Sequence, residues 1–452
     1  MEFNNKSVLL VGLAKTGVSA IKKLVSLGSK VIVNDIKTKD QLSDVLNDLK
    51  ELKNVEYVLG THLDDVSNID LAVVSPGVPL DLPFIKKLYN ENIEVIGEVE
   101  LSYRLSKNPT FIGITGTNGK TTTTSLVGEI YKSSDRDTYV VGNIGTPVID
   151  VVDIANENSF LITELSSFQL ESVNSFRPKV SAILNITEDH LNRHHTMENY
   201  IDAKANIFKN QEKTDYTILN YDDEIVRNLK DRCNSNVIYF SRKVQLEEGI
   251  FVDENGDIII KLNDESIKLM NKSEISIPGN HNLENALSAI GMSFVLGVEL
   301  EVIKKVLKTF GGVEHRLEFV KEINNIMFVN DSKGTNPDST IKAIESYDRP
   351  IILIAGGMDK YSDFTDMVKS FNGGVKALVL LGETAEKIEK TANKEGFFDC
   401  YRVNNMKEAV AKSYSLAVPG DVVLLSPACA SWDMYPNFET RGMDFKNNVE
   451  SL

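Results

Sequence analysis

The stretch Phe111-Ile-Gly-Ile-Thr-Gly-Thr-Asn-Gly-Lys-Thr-Thr122 limits what this chain can fold into more than any other. The apolar run Phe111 to Ile114 reads as a buried strand. A glycine-rich turn follows, and Gly119-Lys120-Thr121 opens an amphipathic helix. A strand that hands over to a helix through glycines is the first half of a parallel βα unit, so an α/β layer must form around it. The same order suits a phosphate cradle. Glycines let backbone N–H groups reach phosphate oxygens, and the helix N-terminus adds positive potential. Lys120 would neutralise the β/γ phosphates and the Thr121 hydroxyl would ligate Mg²⁺, so ATP is the expected ligand. The spacing departs from the common loop, because Ile114 stands where a glycine is usual and the glycines are Gly113, Gly116 and Gly119. The competing reading is an ordinary strand–turn–helix junction.

A chain of 452 residues has room for about three domains. Its charge, 49 − 65 = −16, argues against nonspecific nucleic-acid binding and against anionic membranes. It also requires that positive charge be gathered locally if the ligands are phosphates. Cys233, Cys400 and Cys429 are far apart, form no CxxC pair and are odd in number, which fits reduced thiols in a cytosolic protein. The chain starts without a signal-peptide pattern, and no apolar run nears the ~18 residues of a membrane span.

To about Ser106, apolar strands alternate with helical patterns: Ser7 to Gly12, Lys30 to Asn34, Leu71 to Val74 and Glu94 to Ile96, with a helix over Thr16 to Leu27. This predicts a Rossmann-like parallel domain. Lys107 to Thr110 reads as a linker. Further strands are expected near Thr138 to Val141, Phe160 to Glu164, Val180 to Asn185 and Tyr216 to Leu219, and helices over Glu198 to Phe208 and Asn280 to Val295. Alternation around Asn255-Gly256 predicts a hairpin. After Gly311-Gly312 come strands at Ile326 to Val329, Ile351 to Ala355, Ala377 to Leu381 and Asp421 to Leu425. The expected architecture is α/β in three domains, at residues 1–107, 108–312 and 313–452.

Several clusters fall at strand ends. Gly12-Leu-Ala-Lys-Thr-Gly17 is a dinucleotide-type turn whose middle glycine is Ala14, and Asp35 ends the next strand, where an acid can hold a ribose hydroxyl. Ser75-Pro-Gly77 turns over the same edge. Glu164 ends a strand, the usual place for a second Mg²⁺-site ligand beside a phosphate loop. Asn185-Ile-Thr-Glu-Asp-His190 gathers ligand-capable groups, with His190 able to meet a metal or a phosphate. His194 and His195 receive no role, loop surface being the simple reading. A His-rich loop would suggest zinc, but no Cys or HExxH partner supports it. By helix pattern alone, Lys204 is a solvent-exposed lysine. Asn280 can cap its helix, and Asn285 lies a turn further on a face able to meet a base. Arg316, Lys333 and Lys360 each follow or flank a strand end, and together they suggest a convergent anion site.

These residues together resemble the Mur ligase family over essentially the whole chain. Gly116, Thr117, Asn118, Gly119, Lys120, Thr121 and Thr122 match that family's variant phosphate loop, which accounts for Ile114. Glu164, His190 and Lys204 follow in the family's order. Thr163 to Glu171, Asn330 to Asn336, Ser426 to Asp433 and Asn437 to Gly442 look most like the member that adds D-glutamate, and no Asp-Asn-Pro-Arg box is present. The resemblance implies an ATP-dependent amide ligase of the bacterial cytoplasm, monomeric, without nucleic-acid or membrane partners. Its acid substrate would be UDP-N-acetylmuramoyl-L-alanine and its amine D-glutamate, joined through an acyl phosphate. It implies two Mg²⁺ sites, one held by Thr121 and Glu164 and one by His190 and Lys204, the lysine being N6-carboxylated. It places Lys15, Thr16, Asp35, Ile36 and Asn143 on the UDP substrate and Asn285, Arg316 and Asp331 on ATP. Thr335, Lys360, Ser431 and Phe438 would hold D-glutamate, and domain closure would precede chemistry.

Three other functions remain to be weighed. A folate polyglutamate-type ligase would lack the N-terminal Rossmann-like domain. A nucleotide-gated regulatory protein would not need Glu164, His190 and Lys204. An NAD-dependent dehydrogenase rests on the first glycine turn alone and is disfavoured by Ala14.

Overall fold

The computed structural model describes residues 3–359 and 362–452. Lys360 lies outside the described residues, as does the side chain of Lys15. The chain divides into two compact units, Met1–Lys272 with Glu284–Val306, and Ser273–Leu283 with Leu307–Leu452. Each is built on parallel sheet, and no helix among the described residues is long and apolar enough to cross a membrane.

The first unit contains two sheets. One is all parallel, in the order Val55–Leu59, Lys30–Asp35, Ser7–Val11, Leu71–Val74, Glu94–Gly97. Its strands are near-continuous apolar runs such as Val8 to Val11, because helices cover both faces. The strand order reverses between Ser7–Val11 and Leu71–Val74. A ligand crevice opens at the C-terminal edge of such a switch point, and the Gly12 and Ser75 turns lie there.

The second sheet has nine strands, and Thr110–Thr115 is flanked by Phe160–Glu164 and Val180–Ile183, both parallel to it. The residues that end these three strands therefore meet at one edge: the phosphate loop, Glu164, and the Asn185 to His190 segment. At the far side, Gly249–Val252, Asp257–Leu262 and Glu265–Asn271 run antiparallel, the first two joined through the expected Asn255-Gly256 turn. The helix expected over Glu198 to Phe208 is α-helical at Met197–Ala205 and tightens to a 3₁₀ turn at Asn206–Phe208.

The second unit holds a six-stranded sheet in the order Glu318–Ile323, Ile326–Asn330, Val422–Leu425, Ile351–Ala355, Val375–Leu380, Cys400–Arg402. Only the first pair is antiparallel. The strands at Ile326–Asn330, Val422–Leu425 and Ile351–Ala355 are neighbours, so the segments that follow them leave the sheet side by side.

Candidate active site

Gly119 shows what the phosphate loop demands of its backbone. Its φ is +85°, in the left-handed region, and a Cβ there would collide with the Asn285 side-chain oxygen. Asn285, predicted to bind ATP, is thereby placed directly over the loop. The helix Lys120–Ser133 starts at once, with its first amides facing the turn. The loop is tied down from the neighbouring strand end. Asn185 Oδ1 accepts from the Asn118 amide at 2.8 Å, and Asn185 Nδ2 donates to Asn118 O at 3.1 Å. The Thr187 amide donates to Thr117 Oγ1 at 3.0 Å, and the Tyr200 hydroxyl lies 3.1 Å from the same oxygen.

Two lysines converge on one carbonyl of this loop. Lys120 Nζ donates to Gly116 O at 2.8 Å and to Thr117 O at 2.9 Å. Lys204 Nζ donates to the same Gly116 O at 2.9 Å and lies 4.6 Å from the Tyr200 ring centre. The helix pattern made Lys204 a surface residue, and the structure overturns this, since only 1% of it is exposed. The pattern fails because the helix Met197–Ala205 is covered on its nominally polar side by the phosphate loop, a contact made across 88 residues of sequence. Burial, and then the nearby charge of Lys120, hold the Lys204 amine well below the usual lysine range.

Glu164 is buried at its strand end. Its Oε1 accepts from Asn143 Nδ2 at 2.8 Å, and its Oε2 is buried with no hydrogen-bond partner among the described residues. An ionisable oxygen kept dry and unpaired is costly unless something else meets it. With the buried Thr121 hydroxyl in the first turn of the helix that follows the loop, the donor set is hard oxygen, the kind that suits Mg²⁺. The residues thus fit a divalent cation at this edge.

His190 sits in the left-handed region at φ +54° and is half-exposed. Its ring packs at 4.8 Å from Phe168, whose short helix is fixed by a capping box between Ser166 and Gln169. His194 is not loop surface, as the sequence reading had it. It is buried, bonded through Nδ1 to Glu171 at 3.1 Å and through Nε2 to Ser167 Oγ at 3.0 Å. Burial, then the Arg193 charge, push its imidazole down to about 4, so it is neutral at physiological pH. His195 is exposed and meets Asp81 at 3.0 Å.

At the first sheet, Gly12 has φ +88°, and a Cβ there would lie 2.7 Å from Val78 Cγ2. Ser75 Oγ donates to Gly12 O at 2.5 Å. Asp35 accepts from the Leu13 and Lys37 amides at 2.7 and 2.8 Å, and so shapes the turn it was predicted to serve. Thr16 lies in the first turn of the helix there, and Ile36 beside Asp35 is 68% exposed, an apolar side chain left open at the crevice.

The second unit brings Asp331, Thr335, Ser431 and Phe438 to one sheet edge. Asp331 is buried, accepts from Ser426 Oγ at 2.7 Å, and is lifted by burial to about 6, with the Arg316 charge opposing. Ser332 Oγ donates to Phe438 O at 2.8 Å, and the Lys333 ammonium lies 5.4 Å from the Phe438 ring centre. Sequence reasoning passed over Arg441. It is buried and donates to Ser332 Oγ and O and to the Cys429 and Ala430 carbonyls at 2.8 to 3.3 Å, which stitches two of these segments together. The only available signal was its place in the Asn437 to Gly442 motif.

Comparison with known proteins matches three family models to the chain: a Mur ligase MurD-like N-terminal domain over residues 6–97, a Mur ligase middle domain over 114–293, and a Mur ligase glutamate ligase domain over 315–429. The chain is similar to the UDP-N-acetylmuramoylalanine–D-glutamate ligases of Clostridioides difficile strain 630, at 63% identity over all of both chains, and of Alkaliphilus metalliredigens, at 51% over all of this chain and 99% of the other. Among solved structures it resembles the UDP-N-acetylmuramate-alanine ligase MurC of Thermotoga maritima, with a TM-score of 0.59 at 21% identity, covering 98% of this chain and 99% of that one. It also resembles a pseudomurein peptide ligase type C of Methanothermus fervidus, with a TM-score of 0.58 at 19% identity, covering 99% and 100%. At those identities the structural likeness speaks to the fold.

Proposed function

Because this chain belongs to the Mur ligase family, we propose a division of labour among the residues around the phosphate loop. The protein is an ATP-dependent ligase that joins D-glutamate to UDP-N-acetylmuramoyl-L-alanine, a step in peptidoglycan synthesis. We place that step in the cytoplasm and assign it to a monomer. The three-part division at residues 1–107, 108–312 and 313–452 serves the three substrates in turn.

A carboxylate is a poor electrophile, and phosphorylation gives it a leaving group. In this reading the alanyl carboxylate attacks the ATP γ-phosphorus, ADP leaves, and an acyl phosphate forms. The D-glutamate amine then attacks the acyl carbon and loses a proton, and phosphate departs with one oxygen of the original carboxylate. The loop amides of Gly116 to Thr122 and the Lys120 ammonium bind the triphosphate and offset repulsion between two anions. Asn285, Arg316 and Asp331 complete the ATP contacts. Lys15, Thr16, Asp35, Ile36 and Asn143 hold the UDP substrate. Thr335, Lys360, Ser431 and Phe438 hold D-glutamate, where a lysine suits an amino acid with two carboxylates.

Thr121 and Glu164 would hold one Mg²⁺, and His190 and Lys204 a second. Such ions would supply charge neutralisation of the phosphates. For Lys204 to serve, its amine must become an oxygen donor. A buried lysine held neutral is the form that adds carbon dioxide, with an N–C bond made and a proton lost. The resulting carbamate would lie beside the Lys120 cation.

The observation that carries this reading is the dry, unpartnered Glu164 oxygen at the strand end beside a loop on which two lysines converge. Phosphate release is the test. It should require ATP, UDP-N-acetylmuramoyl-L-alanine and D-glutamate together, and L-glutamate or L-lysine should not replace D-glutamate. Equal rates with L-glutamate, or release without the UDP substrate, would refute it.

A further inference from the structure

A line of contacts joins the Gly12 turn of the first sheet to the His190 turn of the second, and Arg193 is its central member. Val78 packs on the Gly12 turn, and its amide donates to Ser75 O at 2.9 Å while Ser75 Oγ holds Gly12 O. The Val78 carbonyl in turn accepts from Arg193 Nη2 at 2.9 Å. The same guanidinium nitrogen bonds Glu171 Oε2 at 2.6 Å, and the guanidinium carbon lies 5.1 Å from the Phe168 ring centre. Phe168 is the ring against which His190 packs. Arg193 is also only three residues from His190, and its amide donates to His190 O at 2.9 Å.

Arg193 is mostly buried, and its planar head makes three different contacts at once. Both hydrogen bonds leave one nitrogen, which a lysine ammonium could imitate, but lysine has no planar group to lay on the Phe168 ring. His190 is half-exposed with a left-handed backbone, and its ring packs on Phe168 while Nε2 lies 3.6 Å from Asp189 Oδ2. One side chain thus touches both the Ser75 to Val78 turn and the Phe168 ring on which His190 packs.

We propose that Arg193 is a positioning residue that couples occupation of the UDP-substrate crevice to the orientation of His190. The proposal rests on the assignment of His190 as a metal ligand and of the Gly12 turn to the UDP substrate. Arg193 touches neither ligand. It acts by fixing two turns to each other, so its loss should affect both ligands and spare ATP.

Four proteins test this: wild type, Arg193→Met, Arg193→Lys and His190→Ala. Two quantities are measured on each, the calorimetric Kd of UDP-N-acetylmuramoyl-L-alanine in EDTA without ATP and the Mg²⁺ concentration giving half-maximal phosphate release, with KM for ATP as a third, control quantity. In Arg193→Met both should rise about tenfold, the size expected for losing a charge-assisted hydrogen bond, while KM for ATP at saturating Mg²⁺ stays within about twofold. His190→Ala should raise the Mg²⁺ requirement and leave the Kd in EDTA unchanged. Arg193→Lys should fall between wild type and Arg193→Met, and it replaces Arg193→Met if that variant does not fold.

If His190→Ala raises the Mg²⁺ requirement and Arg193→Met moves only one quantity, the coupling is refuted while the ligand assignment stands. If His190→Ala leaves the Mg²⁺ requirement unchanged, the ligand assignment fails and the coupling with it. A rise in KM for ATP equal to the other two changes in Arg193→Met would mark general loosening and would also overturn the proposal.

Discussion

Replacing Lys204 by alanine separates the buried lysine of the structure from the surface lysine of the helix pattern. The substitution deletes three methylenes from a site that is 1% exposed, which costs roughly 2 kcal/mol at about 0.8 kcal/mol each. It also removes the 2.9 Å bond to Gly116 O, worth about 1 kcal/mol. The expected destabilisation is therefore about 3 kcal/mol, against about 0.5 kcal/mol or less for an exposed lysine. Activity should fall by about a hundredfold or more, the scale of losing a group that stabilises charge during reaction. Acetate or propionate should restore part of it, by placing an oxygen donor in the vacated space beside Lys120. Lys204→Met fills that space and should be equally inactive but not rescued. Urea unfolding and phosphate release, each with and without 50 to 100 mM acid (a range of roughly this order), provide the readings. Stability within about 0.5 kcal/mol of wild type together with a wild-type rate would refute the argument. Rescue of Lys204→Met to the same degree would refute the oxygen-donor role.

Other predictions concern separate parts of the molecule. Lys120→Ala should nearly abolish turnover while costing only about 1 kcal/mol in unfolding, since its bonds are to two loop carbonyls, and unchanged activity would remove the phosphate-loop assignment. Lys360→Ala should raise KM for D-glutamate much more than KM for ATP, and an equal rise in both would argue against its place on the amino acid. Glu98 is buried, and its carboxyl is lifted by burial from 4.5 to about 7. The folded chain holds this proton longer than the unfolded one, so the group's contribution is full below pH 4.5 and is lost as pH rises to 7. From 7 − 4.5 = 2.5 pH units at 1.36 kcal/mol each, the loss is up to about 3 kcal/mol. In Glu98→Gln that part of the pH dependence should vanish. Parallel wild-type and variant stability curves between pH 4.5 and 7.5, a range of about three units, would contradict the shift.

What the sequence disclosed follows from how local each signal is. The βα junction at Gly116 to Lys120 was legible because glycines, the preceding strand and the helix start are all within twelve residues or so. The strand ends at Glu164 and Asn330 were legible for the same reason, since apolar runs stop abruptly at polar residues. Lys204 and His194 were misread because their burial comes from segments far away in the chain: the phosphate loop for Lys204, and the Ser167 to Glu171 turn for His194. Helical periodicity describes a face and says nothing of what later covers it. Arg441 and Arg193 illustrate another limit. Arg441 holds loops together mainly through backbone carbonyls, and Arg193 through one carbonyl, the Glu171 carboxylate and the Phe168 ring, all distant in sequence, so no partner motif announces them. The hairpin around Asn255-Gly256 was the opposite case, a turn closed by residues adjacent in sequence: Gly256 takes a left-handed φ of +81° and its amide donates to Asp253 O at 3.0 Å.

Activation of a carboxylate by ATP beside the phosphate loop is tested most directly by oxygen labelling. UDP-N-acetylmuramoyl-L-alanine carrying ¹⁸O in both alanyl carboxylate oxygens is turned over with unlabelled ATP and D-glutamate, and the released phosphate is analysed by mass spectrometry. One ¹⁸O in each phosphate, with the other kept in the new amide, is the predicted result. Phosphate free of label would contradict it.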